Sequence, residues 1–282
     1  MTMYAVNENP LDIYLRADRM PHIWCPGCGL GIVTGAFIRA IQQSKVDTKL
    51  VSVVAGIGCT GRIPGYLNFD TFHTTHGRAI PFAIGLKIAK PELHVFVISG
   101  DGDLFAIGGN HIIHAARRNV NITVICVNNF NYGMTGGQVG PTTPEDAKTT
   151  TTPYGNIEPA FNLPYVMASA GAIYVARWTT LQPRKIIDSI LECMQKDGFS
   201  FIEIISPCPT AYGRRNAQKD AMETMKFYQY KTRVKNGADP KEADIFLTGE
   251  ILTGKFVDIN KITYMDRVKM LIEKANRKGA SK

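Results

Sequence analysis

Val95-Phe96-Val97-Ile98-Ser99 runs directly into Gly100-Asp101-Gly102-Asp103, and this stretch decides the fold class of the chain. A short apolar run that ends in glycine and aspartate is typical of a strand buried on both faces of a parallel sheet. Comparable strand patterns occupy residues 50–55, 122–127, 173–176 and 199–205, and helical patterns occupy residues 77–90, 107–118, 165–170 and 181–196. This alternation predicts an α/β fold, a parallel sheet with helices on both faces.

Polar or glycine-rich segments follow four of the predicted strands at the point where each strand ends. These segments are Gly56-Ile57-Gly58-Cys59, Gly100-Asp101-Gly102, Asn128-Asn129 and Ser206-Pro207-Cys208. In parallel sheets, ligands bind in the crevice beyond the carboxyl ends of the strands. The sequence therefore predicts that all four segments face one crevice.

Composition narrows the functional classes. The 282 residues are 45% hydrophobic and carry a formal net charge of +8, which is enough apolar content for one large domain. The basic residues are scattered, which disfavours nucleic acid as a partner and leaves a solvated basic surface or an acidic protein partner. No apolar run is long enough for a membrane span, and the first residues do not form a signal peptide, so we expect a cytoplasmic protein.

Four of the six cysteines lie in tight turns: Cys25, Cys28, Cys59 and Cys208. The other two, Cys126 and Cys193, lie in apolar patterns, where free thiols pack as small hydrophobes. A close pair such as Cys25-Pro26-Gly27-Cys28 occurs in zinc knuckles and redox dithiols. However, a zinc ribbon has a second close pair, and a dithiol leaves the two distant cysteines unexplained. A 4Fe–4S cluster accounts for all four thiols, with zinc as the alternative.

Oxygen ligands follow two of the strands. Asp101 stands between glycines, and Asn129 ends the next strand, so we expect a carboxylate oxygen and an amide oxygen to lie close together. Mg²⁺ prefers such oxygen ligands and often binds phosphate oxygens as well. The helix after Asp103 offers N–H groups to phosphate, and glycines in residues 131–137 allow a close approach. A lone Gly-Asp-Gly is usually a turn, but together with Asn-Asn it resembles the thiamine diphosphate motif. In that motif the Asp, the second Asn and a carbonyl two residues further on hold the metal, which implies Asp101, Asn129 and Asn131.

Taken together, these motifs resemble the β subunits of 2-oxoacid:ferredoxin oxidoreductases, over about Tyr14 to Asn216, and the 2-oxoglutarate enzymes most closely. The resemblance is carried by Trp24-Cys25-Pro26-Gly27-Cys28-Gly29, Gly56-Ile57-Gly58-Cys59-Thr60-Gly61-Arg62-Ile63-Pro64, Thr75-His76-Gly77-Arg78-Ala79, Gly100-Asp101-Gly102-Asp103, His114-Ala115-Ala116-Arg117-Arg118-Asn119, Tyr132-Gly133-Met134-Thr135-Gly136-Gly137-Gln138 and Ser206-Pro207-Cys208-Pro209-Thr210. Several motifs in a fixed order make it specific.

The resemblance implies the β subunit of a 2-oxoglutarate:ferredoxin oxidoreductase. An α subunit would carry the other thiamine-binding domain, in an αβ or (αβ)₂ assembly with or without further small subunits. The implied reaction is the coenzyme A-dependent oxidative decarboxylation of 2-oxoglutarate to succinyl-CoA and CO₂, in either direction, with single electrons passing through the 4Fe–4S cluster to ferredoxin. The alternatives are the same chemistry on pyruvate or branched-chain 2-oxoacids, a non-catalytic iron–sulfur electron-transfer subunit, and a non-redox thiamine decarboxylase, which would not need the four cysteines.

The site residues implied by the resemblance fall into three groups. The cluster ligands are Cys25, Cys28, Cys59 and Cys208, and the Mg²⁺ ligands are Asp101, Asn129 and Asn131. The residues expected to contact thiamine diphosphate are Ile57, Gly58, Cys59, Thr60, His76, Gly100, Asp101, Gly102, Asp103, Asn129, Gly133, Met134 and Thr135.

Two residues are candidates for catalysis. Arg62 is expected to point into the crevice and to pair with the second carboxylate of 2-oxoglutarate, with a structural salt bridge as the alternative. His76 opens a helix near the crevice, where it either contacts the diphosphate or substrate or caps the helix.

Two segments lack the alternating pattern. Residues 141–159 are rich in Thr, Pro and Gly and predict a long loop, either a mobile surface loop or a lid or partner contact. Because the motifs described above lie within residues 1–215, these residues are assigned to a thiamine diphosphate- and 4Fe–4S-binding domain. Residues 216–282 are more charged and are predicted to form a C-terminal extension of weak helices that contacts another subunit.

Overall fold

A mixed sheet forms the centre of the molecule, in a computed structural model that describes residues 9–218 and 220–279. Its strands are β1 (Val51–Ala55), β2 (Asp70–His73), β3 (His94–Gly100), β4 (Thr123–Asn128), β5 (Tyr174–Thr179), β6 (Ser200–Ile205), β7 (Thr232–Val234) and β8 (Ile251–Asp258). They lie in the order β2-β1-β3-β4-β6-β5-β8-β7. Strands β1 to β6 run parallel, whereas β8 pairs antiparallel with β5.

Helices cover both faces of the sheet, as the alternating pattern predicted. They are α1 (Leu30–Ser44), α2 (Ala79–Ala89), α3 (Gly109–Arg118), α4 (Leu163–Ala170), α5 (Pro183–Met194), α6 (Ala221–Lys231) and α7 (Tyr264–Gly279). Helices α1 and α5 contribute to the hydrophobic cluster on one face, and α2, α3 and α4 contribute to the cluster on the other. Of the described helices, none combines the length and the apolar character needed to cross a membrane.

The central strands are apolar because both of their faces are covered. Every residue of β4, β5 and β6 is buried. Phe37 of α1 is fully buried, and its ring packs edge-on against Phe96 of β3 at 5.1 Å between centroids. Burying one such side chain contributes about 2–3 kcal/mol. The two cysteines predicted to pack as small hydrophobes, Cys126 and Cys193, are both buried in the core.

Strands β1, β3, β4 and β6 are consecutive neighbours in the sheet. Because they are parallel, their carboxyl ends meet at the same edge. The four polar or glycine-rich segments identified in the sequence therefore stand side by side at that edge.

The C-terminal segment differs from its prediction. In addition to α6 and α7 it contains β7 and β8, so the expectation of weak helices alone was wrong. Strand β8 extends the sheet beyond β5, with the short β7 outside it, and its Lys255 and Asp258 form an ion pair at 2.7 Å. Charged side chains of this kind are typical of strands near a sheet edge and hide the strand pattern in the sequence. That the segment contacts another subunit stays a prediction.

Candidate active site

A cleft of about 170 Å³ opens at the carboxyl ends of β1, β3 and β4. It is lined by Ile57, Gly58, Cys59, Thr60, His76, Gly100, Asp101, Gly102, Asp103, Asn129, Asn131, Tyr132, Gly133, Met134 and Thr135. The structure thus brings together every residue that was predicted to contact thiamine diphosphate, although they come from four separate segments.

Asp101 lines this cleft but is itself buried. It is 2% exposed, and burial raises the pKa of its carboxyl to about 7. The hydroxyl of Thr142 donates a hydrogen bond to Oδ2 of Asp101 and favours the charged form. A buried carboxylate is costly unless it meets a positive charge, so this position favours a bound cation.

Two amide oxygens near Asp101 have no partner. Oδ1 of Asn129 and Oδ1 of Asn131 are buried and accept no hydrogen bond within the described residues. The main-chain carbonyl of Asn131, the atom implied as a ligand, accepts a hydrogen bond from the Gly133 N–H at 3.1 Å. Unpaired buried oxygens cost free energy, and carboxylate and amide oxygens are the ligands that Mg²⁺ prefers. The residues present therefore fit a magnesium ion.

A buried polar network fixes the end of β4 beneath these oxygens. Asn128 donates to Oε1 of Glu203 at 2.8 Å, and Nε of Arg177 donates to Oε2 of the same carboxylate at 2.6 Å. Asn128 also accepts a hydrogen bond from the Phe130 N–H at 3.0 Å. Arg177 and Glu203 are completely buried, so each needs the other to offset its loss of hydration. This network holds the turn that carries Asn129 and Asn131.

Asp103 lines the cleft, but its carboxylate is occupied by the protein itself. Oδ1 accepts hydrogen bonds from the Ile57 N–H at 3.1 Å and the Gly77 N–H at 2.7 Å, and Oδ2 accepts from the Ser99 hydroxyl at 2.8 Å. A Cβ atom on Gly56 would lie 2.1 Å from this carboxylate, so glycine is required there. Asp103 therefore joins the loops after β1 and β2 to β3.

His76 is placed by the same carboxylate. Its Nδ1 lies 2.6 Å from Oδ1 of Asp103, and the side chain is 35% exposed. With Nδ1–H donating to the carboxylate, Nε2 is left for a ligand in the cleft. The ring also meets Tyr132 edge-on at 6.3 Å between centroids. This geometry supports contact with a ligand. The N-cap position of α2 is occupied by Arg78, whose side chain makes no capping hydrogen bond.

The loops that carry the four turn cysteines pack against one another. The indole N–H of Trp24 donates to the carbonyl of Cys59 at 2.9 Å, which joins the first loop to the second. A Cβ atom on Gly29 would lie 2.4 Å from Oγ of Ser206, which joins the first loop to the loop of Cys208.

The four thiols also interact electrostatically. Burial, with smaller contributions from the Cys208, Cys59 and Cys25 thiols, raises the pKa of Cys28 to about 12. Burial likewise raises the pKa of Cys59 to about 11, again with contributions from Cys208 and Cys25. In the part of the chain that is described, no group of three His, Cys, Asp or Glu side chains is arranged to hold a metal ion. These interactions place the four turn thiols near one another. That they hold a 4Fe–4S cluster rather than zinc stays a prediction.

Gly133 is the point where the thiols meet the oxygen ligands. A Cβ atom placed on it would lie 3.4 Å from Sγ of Cys208 and 3.5 Å from Oδ1 of Asn131. A group held by Cys208 would therefore lie beside a group held by Asn131.

Arg62 is placed differently from its prediction. It lies in a 3-10 turn over Thr60–Tyr66, is exposed, and does not line the cleft. It is close enough to Cys59 for its charge to lower the pKa of that thiol slightly. Its expected contact with a substrate carboxylate therefore needs a surface outside the cleft of this chain.

Two residues of the site were not predicted. The ring of Tyr132 packs against Gly102, where a Cβ atom would lie 2.2 Å from the ring. The sequence feature that could have indicated Tyr132 is the glycine-rich segment in which it lies. Thr142 donates to Asp101 from a loop without periodicity, so no sequence pattern indicated it.

Known proteins resemble the chain in sequence and in structure. Residues 54–204 match the family model described as "Thiamine pyrophosphate enzyme, C-terminal TPP binding domain". The chain is 51% identical over 262 residues to the 2-oxoglutarate synthase subunit KorB of Methanocaldococcus jannaschii, covering 93% of this chain and 96% of that protein. It is 57% identical to the subunit of the same name from Archaeoglobus fulgidus over 70% of this chain and 73% of that protein.

A solved structure is also similar. It is a 2-oxoglutarate:ferredoxin oxidoreductase from Magnetococcus marinus with 2-oxoglutarate, coenzyme A and succinyl-CoA bound. The TM-score is 0.84 at 31% identity, covering 97% of this chain and 93% of that chain.

Proposed function

Because the chain belongs to the β subunits of the 2-oxoacid:ferredoxin oxidoreductases, we propose that it works in a 2-oxoglutarate:ferredoxin oxidoreductase. The proposed reaction consumes 2-oxoglutarate, coenzyme A and oxidised ferredoxin. It releases succinyl-CoA, CO₂, a proton and reduced ferredoxin, and it runs in either direction. The relatives named for 2-oxoglutarate support this substrate over pyruvate and branched-chain 2-oxoacids.

The observation that carries the proposal is the contact geometry at Gly133. The Cys208 thiol and the Asn131 amide oxygen lie 3.4 Å and 3.5 Å from the point that a Cβ atom of this residue would occupy, so they are near neighbours. A non-redox thiamine decarboxylase transfers no electrons, so it would not need thiols at this position. A non-catalytic electron-transfer subunit has no use for a cleft that matches the thiamine pyrophosphate-binding family.

The residues of the chain then have distinct roles. Asp101, Asn129 and Asn131 would hold Mg²⁺, and the segments that include Gly58, Thr60 and Gly133 would line the diphosphate. Thiamine diphosphate supplies, when bound, the electron sink for the decarboxylation. Nε2 of His76 would contact the diphosphate or the substrate. Cys25, Cys28, Cys59 and Cys208 would hold a 4Fe–4S cluster that accepts single electrons.

The site is incomplete without other proteins. The proposed α subunit carries the second thiamine-binding domain and covers the cleft, in an αβ or (αβ)₂ assembly with or without further small subunits. The net charge of +8 suits an acidic ferredoxin, since opposite charges speed association. We expect the assembly to work in the cytoplasm.

The test is anaerobic purification of the chain with its co-encoded partner subunits, followed by quantitation of thiamine diphosphate, iron and sulfide. We expect all three, together with reduction of ferredoxin that depends on 2-oxoglutarate and coenzyme A. Iron and sulfide without thiamine diphosphate would favour the electron-transfer subunit. Higher kcat/KM with pyruvate or branched-chain 2-oxoacids would reassign the substrate.

Arg62 provides a sharper test of the substrate. Because it is exposed beside the Cys59 loop, it is available to a substrate held between the subunits. Replacing Arg62 with Met should raise the KM for 2-oxoglutarate much more than the KM for 2-oxobutyrate, which lacks the second carboxylate. Equal changes in both KM values would show that Arg62 does not read this carboxylate.

A further inference from the structure

Two adjacent threonines connect the long loop after β4 to the oxygen ligands. Thr142 and Thr143 are 1% and 0% exposed. The Thr142 hydroxyl donates to Oδ2 of Asp101, and the Thr143 hydroxyl donates to the carbonyl of Phe130 at 2.6 Å. Phe130 lies between Asn129 and Asn131. One dipeptide therefore contacts both parts of the predicted magnesium site, the part that follows β3 and the part that follows β4.

Phe130 needs this support. Its φ of 63° is in the left-handed region, which is unfavourable for a residue with a side chain. The Asn128 side chain accepts from its N–H at 3.0 Å, and Thr143 donates to its carbonyl, so both main-chain groups of Phe130 are bonded. The left-handed turn is thereby fixed, and with it the positions of the two asparagines.

The threonines are themselves held by the loop. The buried side chain of Asn156 donates to the carbonyls of Thr143 at 2.9 Å and of Pro144 at 3.3 Å. The Gly140 N–H donates to the hydroxyl of Thr143 at 2.9 Å. These bonds fix the backbone around the dipeptide, so the positions of the two threonine hydroxyls are restricted.

We propose that Thr142 and Thr143 are positioning residues for the magnesium ligands of the oxidoreductase proposed above. Thr142 bonds one oxygen of the Asp101 carboxylate and so fixes its rotation. Thr143 fixes the turn that presents Asn129 and Asn131. Partners of this kind change metal affinity by about 10- to 100-fold when they are removed.

The test uses variants of nearly the same shape, in the complex with its co-encoded partner subunits. T142V and T143V remove a hydroxyl but keep the branched side chain, whereas T142S and T143S keep the hydroxyl. Thiamine diphosphate binding is measured by calorimetry as a function of Mg²⁺ concentration. We expect both valine variants to need about 10- to 100-fold more Mg²⁺ for half-maximal binding, and the serine variants to behave like wild type.

T149V is the matched control. Thr149 lies in the same loop, is 3% exposed, and bonds within the loop to Thr152 at 2.7 Å. Its loss should lower the thermal unfolding temperature without changing the Mg²⁺ requirement. An equal change in T149V would mean that general loop stability matters, which would overturn the inference.

The remaining outcomes separate this inference from the proposed function. Folded T142V and T143V complexes with the wild-type Mg²⁺ requirement would overturn the positioning role alone. If the wild-type complex binds no thiamine diphosphate in the presence of Mg²⁺, the proposed function fails, and the inference that rests on it fails too.

Discussion

The candidate oxygen ligands (the oxygen side) and the four turn thiols (the thiol side) meet at Gly133. The two sides are held in different ways. Asp101 and Asn131 are at most 4% exposed and lie just after strands of the parallel sheet. Cys25 is exposed, and Cys28, Cys59 and Cys208 are half-buried in turns. The oxygen side is therefore organised by the sheet before anything binds. The thiol side depends on close contacts between turns, so a bound group would contribute much of its order.

The largest expected effect comes from Asp101. Replacing Asp101 with Asn keeps the shape but removes the charge that a metal needs. Magnesium-dependent binding of thiamine diphosphate and the oxidation of 2-oxoglutarate should both fall by more than about 100-fold, beyond the effect of an outer partner. Because the thiols are held by other loops, the iron content should stay at the wild-type level. A D101N complex that also lacks iron would mean that the two sides do not form independently.

The converse change is Cys208 to Ser. It removes the thiol that lies beside Gly133 and Asn131, so iron and sulfide should be largely lost and ferredoxin reduction abolished. The oxygen ligands are untouched, so calorimetry should give the wild-type affinity for thiamine diphosphate. Weaker binding in C208S would show that a group held by the thiols supports the cofactor directly.

A smaller effect is expected at Gly27, between Cys25 and Cys28. Its φ is +78°, and a Cβ atom would lie 2.1 Å from Cβ of Ala221 in α6. G27A should cost about 1–2 kcal/mol for the backbone conformation alone, and the clash moves the turn away from its partners. We expect a lower iron content and faster loss of iron in air.

The control for this change is Gly35 to Ala in the middle of α1. A Cβ atom there meets nothing within 4 Å. G35A should raise the free energy of unfolding by about 0.5–1 kcal/mol and leave the iron content unchanged. Iron loss in both variants would point to a general effect of alanine substitution.

The smallest effect is expected far from the site, at Asp258 in β8. Hydrogen bonds from Lys196 and Lys255 lower the pKa of this carboxyl below 3.8. Its contribution to stability is therefore present above the unfolded-state pKa and is lost as the pH falls through the folded-state pKa. The carboxylate is 39% exposed, so D258N should lower the free energy of unfolding by less than about 1 kcal/mol at neutral pH. Urea titrations in acid should then give no difference between D258N and wild type.

The parallel core and the cleft could be predicted because their signals are local. Buried strands such as β3 and β4 are continuous apolar runs, and their ends carry glycine, aspartate and asparagine. The positions of Asp101 and Asn129 at one edge follow from the geometry of a parallel sheet. The thiol turns were visible for the same reason, because glycine and proline mark them.

Other parts depend on contacts between distant segments. Asp103 looks like a further ligand in the motif, yet its oxygens accept hydrogen bonds from the loops after β1 and β2 and from Ser99 of β3. Thr142 reaches Asp101 across 41 positions of sequence from a loop with no pattern. Arg62 was expected in the crevice from its position after Cys59, but the 3-10 turn carries its side chain outwards. Strand β8 was missed because its charged residues suit an edge of the sheet and conceal its pairing with β5.

The pairing of β5 with β8 has a consequence for biosynthesis. All six residues of β5 are buried in the folded protein, but β8 follows β5 only after several further elements and leaves the ribosome later. Until then, one edge of β5 presents unpaired main-chain groups on an apolar strand, which is the kind of edge that captures other chains. The nascent protein is therefore prone to aggregation until β8 has been synthesised and pairs with β5. Chaperones, or a subunit that binds early, would protect this edge of the sheet most during that interval.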